Sequence, residues 1–473
     1  MMSRTSSTVE SPQLASDSSL EGKSNGLPWS LQDQNSFSRS PIDGLYLHIP
    51  FCFHKCHYCD FYSIVDEEKG QGPGARGQAA ESEGETISGT GKAIGHSPTS
   101  PPARGTVFVD RMIVELRELA SRFTLSPRTI FVGGGTPTLL PSDQWQRLLD
   151  AMKSLRLLDR VSEFTVEANP ETVTLPLMQT LARGGVNRVS LGAQSFQPAL
   201  LATLERWHDP SSVAKAVHTV REAGITNTNL DLIFAIPGQT MAMLDADLDA
   251  ALSLAPSHLS CYSLIFEPNT AMTQRLKMGQ VAAMDEETER TMYEHVIRRL
   301  ATAGFEHYEV SNWARRSGSG LRVQGSEFAD TDPNSEPGTR NPEPPRRCLH
   351  NLIYWLNANW LGAGPAAASH VAGHRWKNVP HLGQYLAKGP LPPTMDHEHL
   401  PADRSLGEQL MLRLRLLEGA SHDWLNANLP ADDARRKEID SLVKLDMLER
   451  TSTHTRLTAK GLFVADAVLT RLL

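Results

Sequence analysis

The stretch YLHIPFCFHKCHYCDF, Tyr46 to Phe61, decides how the rest of the chain is read. Its apolar lead-in, Gly44–His48, reads as a strand. Cys52, Cys56 and Cys59 follow directly on a loop, in the spacing Cys-x-x-x-Cys-x-x-Cys. Thiolates are soft ligands suited to iron–sulfur clusters. Three of them leave one iron of a four-iron cluster without a protein ligand, and substrate chemistry at a metal needs such an open position. The competing reading is zinc, which usually takes four protein ligands; His48, His54 and His57 are the candidate fourths. Against zinc, structural zinc pairs normally come as two separated halves.

Moving outward, the other cysteines are only Cys261 and Cys348. An odd, low cysteine count in a 473-residue chain argues against a secreted disulfide scaffold and fits a reducing, cytoplasmic setting. The formal net charge of −8 supplies no basic field, so no nucleic-acid partner is expected. No apolar run is long enough to span a bilayer. Residues 1–40 are Ser-rich, with Glu10, Asp17, Glu21 and Asp33 set against Arg4, Lys23 and Arg39. That composition fits neither a secretory signal nor a transit peptide, and it reads as a disordered leader. Residues 66–105 and 316–346 are Gly-, Ser-, Glu- and Pro-rich and read as disordered surface insertions, because neither can bury enough apolar surface to offset the entropy of ordering.

Between these segments strands and helices alternate. Gly44–His48, Thr129–Val132, Glu163–Glu167, Arg188–Gly192, Asn227–Ile233 and Leu259–Ile265 read as strands. Phe108–Phe123, Ser142–Leu155, Pro176–Gly184, Ser211–Gly224, Met241–Leu254 and Glu286–Gly304 read as helices. Such alternation predicts an α/β fold of parallel β/α units, a partial barrel or a doubly wound sheet. The unusual residues all fall at strand ends: the cysteine loop, Gly133-Gly134-Gly135-Thr136-Pro137, Glu167, Gln194 and Asp231. In a parallel barrel those ends form the active face. Read singly, the glycine run is equally a tight turn, Glu167 a solvated strand end and Arg206 a surface charge. Asp231 differs, because an inward Asp on an apolar strand needs a partner.

The Tyr46–Phe61 stretch strongly resembles the radical S-adenosylmethionine family, most closely its coproporphyrinogen oxidase-like branch, and the likeness covers about residues 44–370. It implies a partial (β/α)6 TIM-like barrel. It also implies a 4Fe–4S cluster on Cys52, Cys56 and Cys59, whose open iron binds S-adenosylmethionine. The reduced cluster of that family breaks a carbon–sulfur bond to give a 5′-deoxyadenosyl radical. Carried over by motif, Gly134, Gly135 and Thr136 match the turn that holds the methionine amino group, and Tyr46 matches a tyrosine near the cofactor. Glu167 matches a carboxylate to the ribose or amine. Gln194, Arg206 and Asp231 match further binding positions, which serve a second S-adenosylmethionine in porphyrinogen-oxidising members. One bound molecule and two are both open.

Within the branch, oxygen-independent coproporphyrinogen oxidases carry a fourth cysteine two residues after the third and a structured N-terminal extension. This chain has Asp60-Phe61 there and a polar leader. His350-Asn-Leu-Ile-Tyr354-Trp355 resembles the HNxxYW element of the branch's heme chaperones. Imidazole ligates heme iron, and a Tyr-Trp pair offers flat apolar surface, so His350, Tyr354 and Trp355 are heme candidates, with Cys348 and His370 as further possible iron ligands. The plainer alternative is that the aromatics are core, with His350 hydrogen-bonded beside them.

The expected layout is a leader at 1–40, the barrel at 41–315, an insertion at 316–346, the HNxxYW element at 347–370 and a C-terminal α+β winged-helix-like domain at 371–473. The expected function is a heme chaperone that passes heme to apo-hemoproteins such as respiratory enzymes at the membrane. The alternative is oxidative decarboxylation of coproporphyrinogen III. A DNA-binding role for the C-terminal module is opposed by the acidic balance.

Overall fold

The computed structural model describes residues 40–65, 104–316, 346–387 and 389–473. The leader and both insertions fall almost wholly outside these residues. Chain order begins with β1 (Ile42–Ile49), β2 (Phe51–Cys52), β3 (Ile64–Val65) and β4 (Leu125–Gly134). It continues with β5 (Glu163–Ala168), β6 (Arg188–Gln194), β7 (Asn227–Phe234) and β8 (His258–Ser263). The hairpin β9 (Phe305–Glu309) and β10 (Asn312–Arg315) follows, then β11 (Trp360–Ala363), β12 (Ala368–Val371), β13 (His374–Asn378) and β14 (Thr394–His399).

One sheet of twelve strands runs β14-β13-β12-β11-β1-β4-β5-β6-β7-β8-β10-β9. The six expected strands lie side by side in sequence order and pair in parallel, as right-handed β/α units do. The helices between them are α1 (Arg104–Arg122), α2 (Ser142–Ser154), α3 (Leu175–Arg183), α4 (Pro198–Thr203), α5 (Pro210–Glu222) and α6 (Met241–Ser253). Then come α7 (Ala271–Lys277) and α8 (Glu286–Thr302). Asp209, Thr240 and Asp285 cap α5, α6 and α8 by accepting from backbone N–H groups. A seventh parallel strand, β11, lies against β1 from the other side. Its four residues, Trp360–Ala363, give too short a run to stand out in the sequence.

The two faces of this sheet differ in chemistry. Leu45, Leu47, Ile130, Val132, Phe164, Val166, Val189, Leu191, Leu230 and Leu259 alternate with polar neighbours and are almost fully buried in the main apolar core. The register puts Tyr46 beside Phe131, Phe131 beside Thr165, Thr129 beside Glu163, Ser190 beside Glu167 and Asn229, and Asp231 beside Gly192 and Ser260. Residues in register share a face, so these form one polar, aromatic surface opposite the helix-packed one. Parallel strands are usually apolar on both faces, and a polar face on such a sheet marks an interior with work to do.

Downstream, α9 (Leu349–Trp355) carries the HNxxYW residues and α10 (Leu382–Leu386) packs near α1. The C-terminal part comprises α11 (Ala402–Arg415), β15 (Ala420–Ser421), α12 (His422–Asn428), α13 (Ala434–Lys444), β16 (Leu448–Arg450) and β17 (His454–Leu457). Two short helices, α14 (Ala459–Leu462) and α15 (Ala465–Thr470), close it. These helices and the β16–β17 hairpin pack around their own core of Leu410, Leu414, Ile439, Leu442 and Leu469. The two short helices are separated near Phe463, whose ring meets Tyr293 of α8 edge-on at 5.6 Å. The outermost strand β14, sequence TMDHEH, is exposed along nearly its whole length.

Candidate functional site

β1 ends at Ile49, and a two-residue parallel ladder, Phe51 to Ile64 and Cys52 to Val65, closes the cysteine loop at its base. Cys52, Cys56 and Cys59 are half-buried free thiols. Cys59 donates its amide to the Cys56 carbonyl, which turns the loop tightly. Burial raises the Cys52 thiol, and it lifts Cys59 to about 11, with the neighbouring cysteines adding to the effect. A thiol that ligates a metal is deprotonated outright, so iron would offset this. Arg206 brings Nη1 to 3.4 Å from the Cys56 sulfur. Burial works against that guanidinium, but Tyr58 and the cysteine thiols outweigh it, and the charge is held.

The three candidate fourth ligands for zinc each have other neighbours. His48 sits between Tyr46 and the Tyr62 carbonyl, His54 stacks on Trp207 at 3.9 Å, and His57 lies 3.5 Å from Arg275. Among the described residues no three His, Cys, Asp or Glu side chains gather around one metal ion. That holds for the three cysteines too, so the loop is not shaped around a single ion; what it offers is three soft thiols, the donor type that iron–sulfur clusters take.

The glycine turn after β4 packs directly on this loop. Gly135 donates to the Ile49 carbonyl and Thr136 to the Phe51 carbonyl, both at 2.7 Å. Gly134 donates to Glu167 Oε2 at 3.2 Å. Gly134 holds φ +102°, and a Cβ on it would come within 2.5 Å of the His48 ring; a Cβ on Gly133 would meet Glu167 at 2.5 Å. The three amides from 134 to 136 are thus committed to protein acceptors. An anion would find no free N–H there, whereas an amine needs acceptors, and Glu167 supplies one.

Glu167 stands at the end of β5 with its carboxyl lifted to about 8, first by burial and then by the Asp231 carboxylate. Asp231 is raised as well, by burial, although it accepts from Asn229 at 2.7 Å and Ser190 at 3.1 Å. Gln194 sits at a bulge of β6 with φ +63°, a backbone conformation that side chains rarely adopt and that clusters at functional sites. Gly192 makes room beside it: a Cβ there would meet Arg206 Nη2 at 2.8 Å and Gln194 Nε2 at 2.9 Å. Arg206 also donates to the Gly192 carbonyl at 3.0 Å. Tyr46, the glycine turn, Glu167, Gln194, Arg206 and Asp231 therefore line one surface leading up to the cysteine loop.

The HNxxYW residues lie at the opposite, amino-terminal end of the strands. His350 is 1% exposed; Nδ1 is 2.8 Å from Thr129 Oγ1 and Nε2 is 2.9 Å from Tyr354 Oη. Burial depresses its pKa to about 3. Both nitrogens are thus occupied, while Tyr354 and Trp355 are half-buried. Trp355 lies under the Arg415 guanidinium of α11, 5.0 Å from its ring centre. Cys348 is buried with its thiol 3.5 Å from Glu163, and His370 Nδ1 lies 3.0 Å from the Ala358 carbonyl.

Two residues absent from the sequence reading hold this end together. Glu163 accepts from the amides of Leu349 and His350 at 2.9 and 3.0 Å. Arg188, 2% exposed, lies among Cys348, Glu163, Tyr308 and Asp231, a surrounding that holds its pKa up in spite of burial. A charged residue opening a β-branched strand was the available signal. Gly364, with φ +101°, ends β11 so close to His48 that a Cβ would meet its carbonyl at 2.4 Å, so a further loop reaches the active rim.

Residues 46–251 match the Radical SAM superfamily. The chain is 33% identical to the heme chaperone HemW of Mycobacterium tuberculosis strain H37Rv over 437 residues, covering 91% of this chain and 94% of that one. It is 31% identical to the HemW of Lactococcus lactis, covering 90% and 96%. Among solved structures, coproporphyrinogen III oxidase (HemN) from Escherichia coli, a radical SAM enzyme, superposes with TM-score 0.70 over 93% of this chain and 92% of its own, at 20% identity. That last likeness is one of fold. With the sequence relatives spanning nearly its whole length, the chain belongs to the HemW family of the radical SAM superfamily.

Proposed function

We propose that this protein is a heme chaperone that holds a 4Fe–4S cluster on Cys52, Cys56 and Cys59, binds S-adenosylmethionine above it and carries heme to apo-hemoproteins. The observation that carries the reading is the near full-length similarity to proteins named heme chaperone HemW. Asp60-Phe61, in place of a further cysteine, supports it against porphyrinogen oxidation.

When bound, the cluster supplies an open iron for the methionine end of S-adenosylmethionine and an electron for cleaving its carbon–sulfur bond. The chain's residues do the rest. The turn at Gly134–Thr136 presses its backbone onto the cysteine loop and fixes the loop's height. Glu167 offers a carboxylate to the ligand's cationic amine or to its ribose. Arg206 ties the Cys56 side of the loop to the β6 bulge, where Gln194 and Asp231 line the far wall. Tyr46 closes the near wall. In this arrangement His350 has no nitrogen free for heme iron, so heme ligation through the HNxxYW element would require the Thr129 and Tyr354 bonds to open.

The test uses anaerobic, reconstituted protein. Hemin should give a stable Soret band and pass to an apo-hemoprotein such as apomyoglobin. The fold shared with HemN favours a second reading, oxidative decarboxylation of coproporphyrinogen III. Protoporphyrinogen formed from coproporphyrinogen III with S-adenosylmethionine and reductant would overturn the chaperone reading in its favour. Absence of any hemin complex would also sink the chaperone reading. A cytoplasmic location and a membrane-bound respiratory acceptor belong to the same proposal; no helix among the described residues is long and apolar enough to cross a membrane.

A further inference from the structure

The HNxxYW helix is joined to the cofactor surface by an unbroken aromatic column. At its foot, His350 is locked by Thr129 and Tyr354, and its backbone is locked by Glu163. The His350 ring stacks on Phe131, with centres 5.4 Å apart and planes 27° from parallel. Phe131 in turn stacks on Tyr46, at 6.4 Å and 30°. Tyr46 Oη lies 3.0 Å from His48 Nδ1, and His48 Nε2 lies 2.8 Å from the carbonyl of Tyr62, just past the cysteine loop. The same Phe131 ring also backs Gly133, whose other neighbour is the Glu167 carboxylate. Gly44, beneath Tyr46, leaves room for Ile353 and His350 of the same helix, whose atoms lie 3.0 and 3.2 Å from where its Cβ would stand.

Every step of this column is a packed contact, so a shift at its foot propagates upward. Removing the His350 imidazole would free Phe131 to drop, and Tyr46 and the Gly133–Glu167 wall rest on Phe131. We infer that His350 is a positioning residue of the S-adenosylmethionine pocket: through Phe131 it sets Tyr46, His48 and the glycine turn, and it is not a heme ligand. The inference rests on the reading of that surface as the S-adenosylmethionine site.

The experiment compares full-length, cluster-reconstituted wild type with His350→Ala and Phe131→Leu. Three quantities are read on each: iron content, S-adenosylmethionine affinity by equilibrium dialysis, and hemin binding by the Soret band. The electron paramagnetic resonance signal of the reduced cluster, with and without S-adenosylmethionine, reports contact at the open iron. Supporting residues one step behind a site typically cost about 10- to 100-fold in affinity or activity when removed. A loss of that size is expected for S-adenosylmethionine in both variants, with a weakened ligand-induced spectral change, unchanged iron and unchanged hemin binding. Loss of hemin binding in His350→Ala with full S-adenosylmethionine affinity would overturn the inference. So would an unaltered Phe131→Leu, the variant that decides the matter if His350→Ala fails to fold. Wild type that binds no S-adenosylmethionine at all would instead remove the reading on which the inference rests.

Discussion

At position 134 nothing larger than hydrogen fits. The backbone there is left-handed and the His48 ring occupies the space a methyl would take. Gly134→Ala should cost about 1–3 kcal/mol in backbone strain alone, and it must also displace His48. Denaturant unfolding should register the loss, and the displaced ring should weaken S-adenosylmethionine binding by dialysis; full affinity with unchanged stability would refute the packing described. Glu167 makes a pH prediction. With its carboxyl near 8, it is mostly protonated at neutral pH, and a cationic ligand favours its ionised form. The charges facing it are Asp231, which raises its pKa, and Arg188, which lowers it, while the Gly134 amide also favours ionisation. S-adenosylmethionine affinity should therefore climb as pH rises toward about 8 and level off above it, with proton release on binding below that point. Calorimetry in buffers of different ionisation enthalpy would detect the proton, and Glu167→Gln should flatten the profile. Most of these residues were legible in the sequence because their types are costly unless used: three clustered thiols, three adjacent glycines, a carboxylate on an apolar strand. Glu163 and Arg188 were not, because both also meet Cys348, which lies more than a hundred residues further along the chain.

The helix α9 is too short to be stable on its own. It is held by what its amino end meets, the Glu163 carboxylate, which takes two of its otherwise unpaired amides. Glu163→Gln keeps the shape, removes the charge and puts an NH₂ donor where one of the amides needs an acceptor. A buried unsatisfied group costs about 1–3 kcal/mol, and hydrogen exchange at Leu349 and His350 should speed up correspondingly. Unchanged exchange would mean the helix is held by packing alone. At this scale the sequence was read well for long periodic elements, such as α1, where Val109, Met112, Ile113, Leu116 and Leu119 form one buried stripe. It missed β11 to β14 as strands, because their runs are short and carry almost no period, and it placed residues 374–399 in the C-terminal domain, whereas β13 and β14 pair into the main sheet.

Among the described residues lie two large apolar cores, one behind the parallel strands and one in the C-terminal part, and a small third cluster around Ile233, Leu264 and Met272. Tyr293 and Ile297 of α8 pack against both large cores, and the amide of Leu417 donates to the Tyr308 carbonyl across the seam. Leu442→Ala, deep in the C-terminal core, should cost about 2–5 kcal/mol there while leaving reconstituted iron content unchanged. An equal loss of iron would mean the two cores unfold as one. The C-terminal part also settles the fate of one end of the sheet: Leu416 bridges to Glu309, so the edge strand β9 is covered. Among the described residues no strand pairs with the outer edge of β14 at the other end. That strand carries Asp396, His397, Glu398 and His399 in a row, and Asp396 adopts φ +53°, which kinks the strand out of flatness. A second copy approaching that edge would meet charge and a bent backbone in place of a straight ladder. At the high concentrations that cluster spectroscopy demands, such an edge would disfavour strand-to-strand stacking of the twelve-stranded sheet.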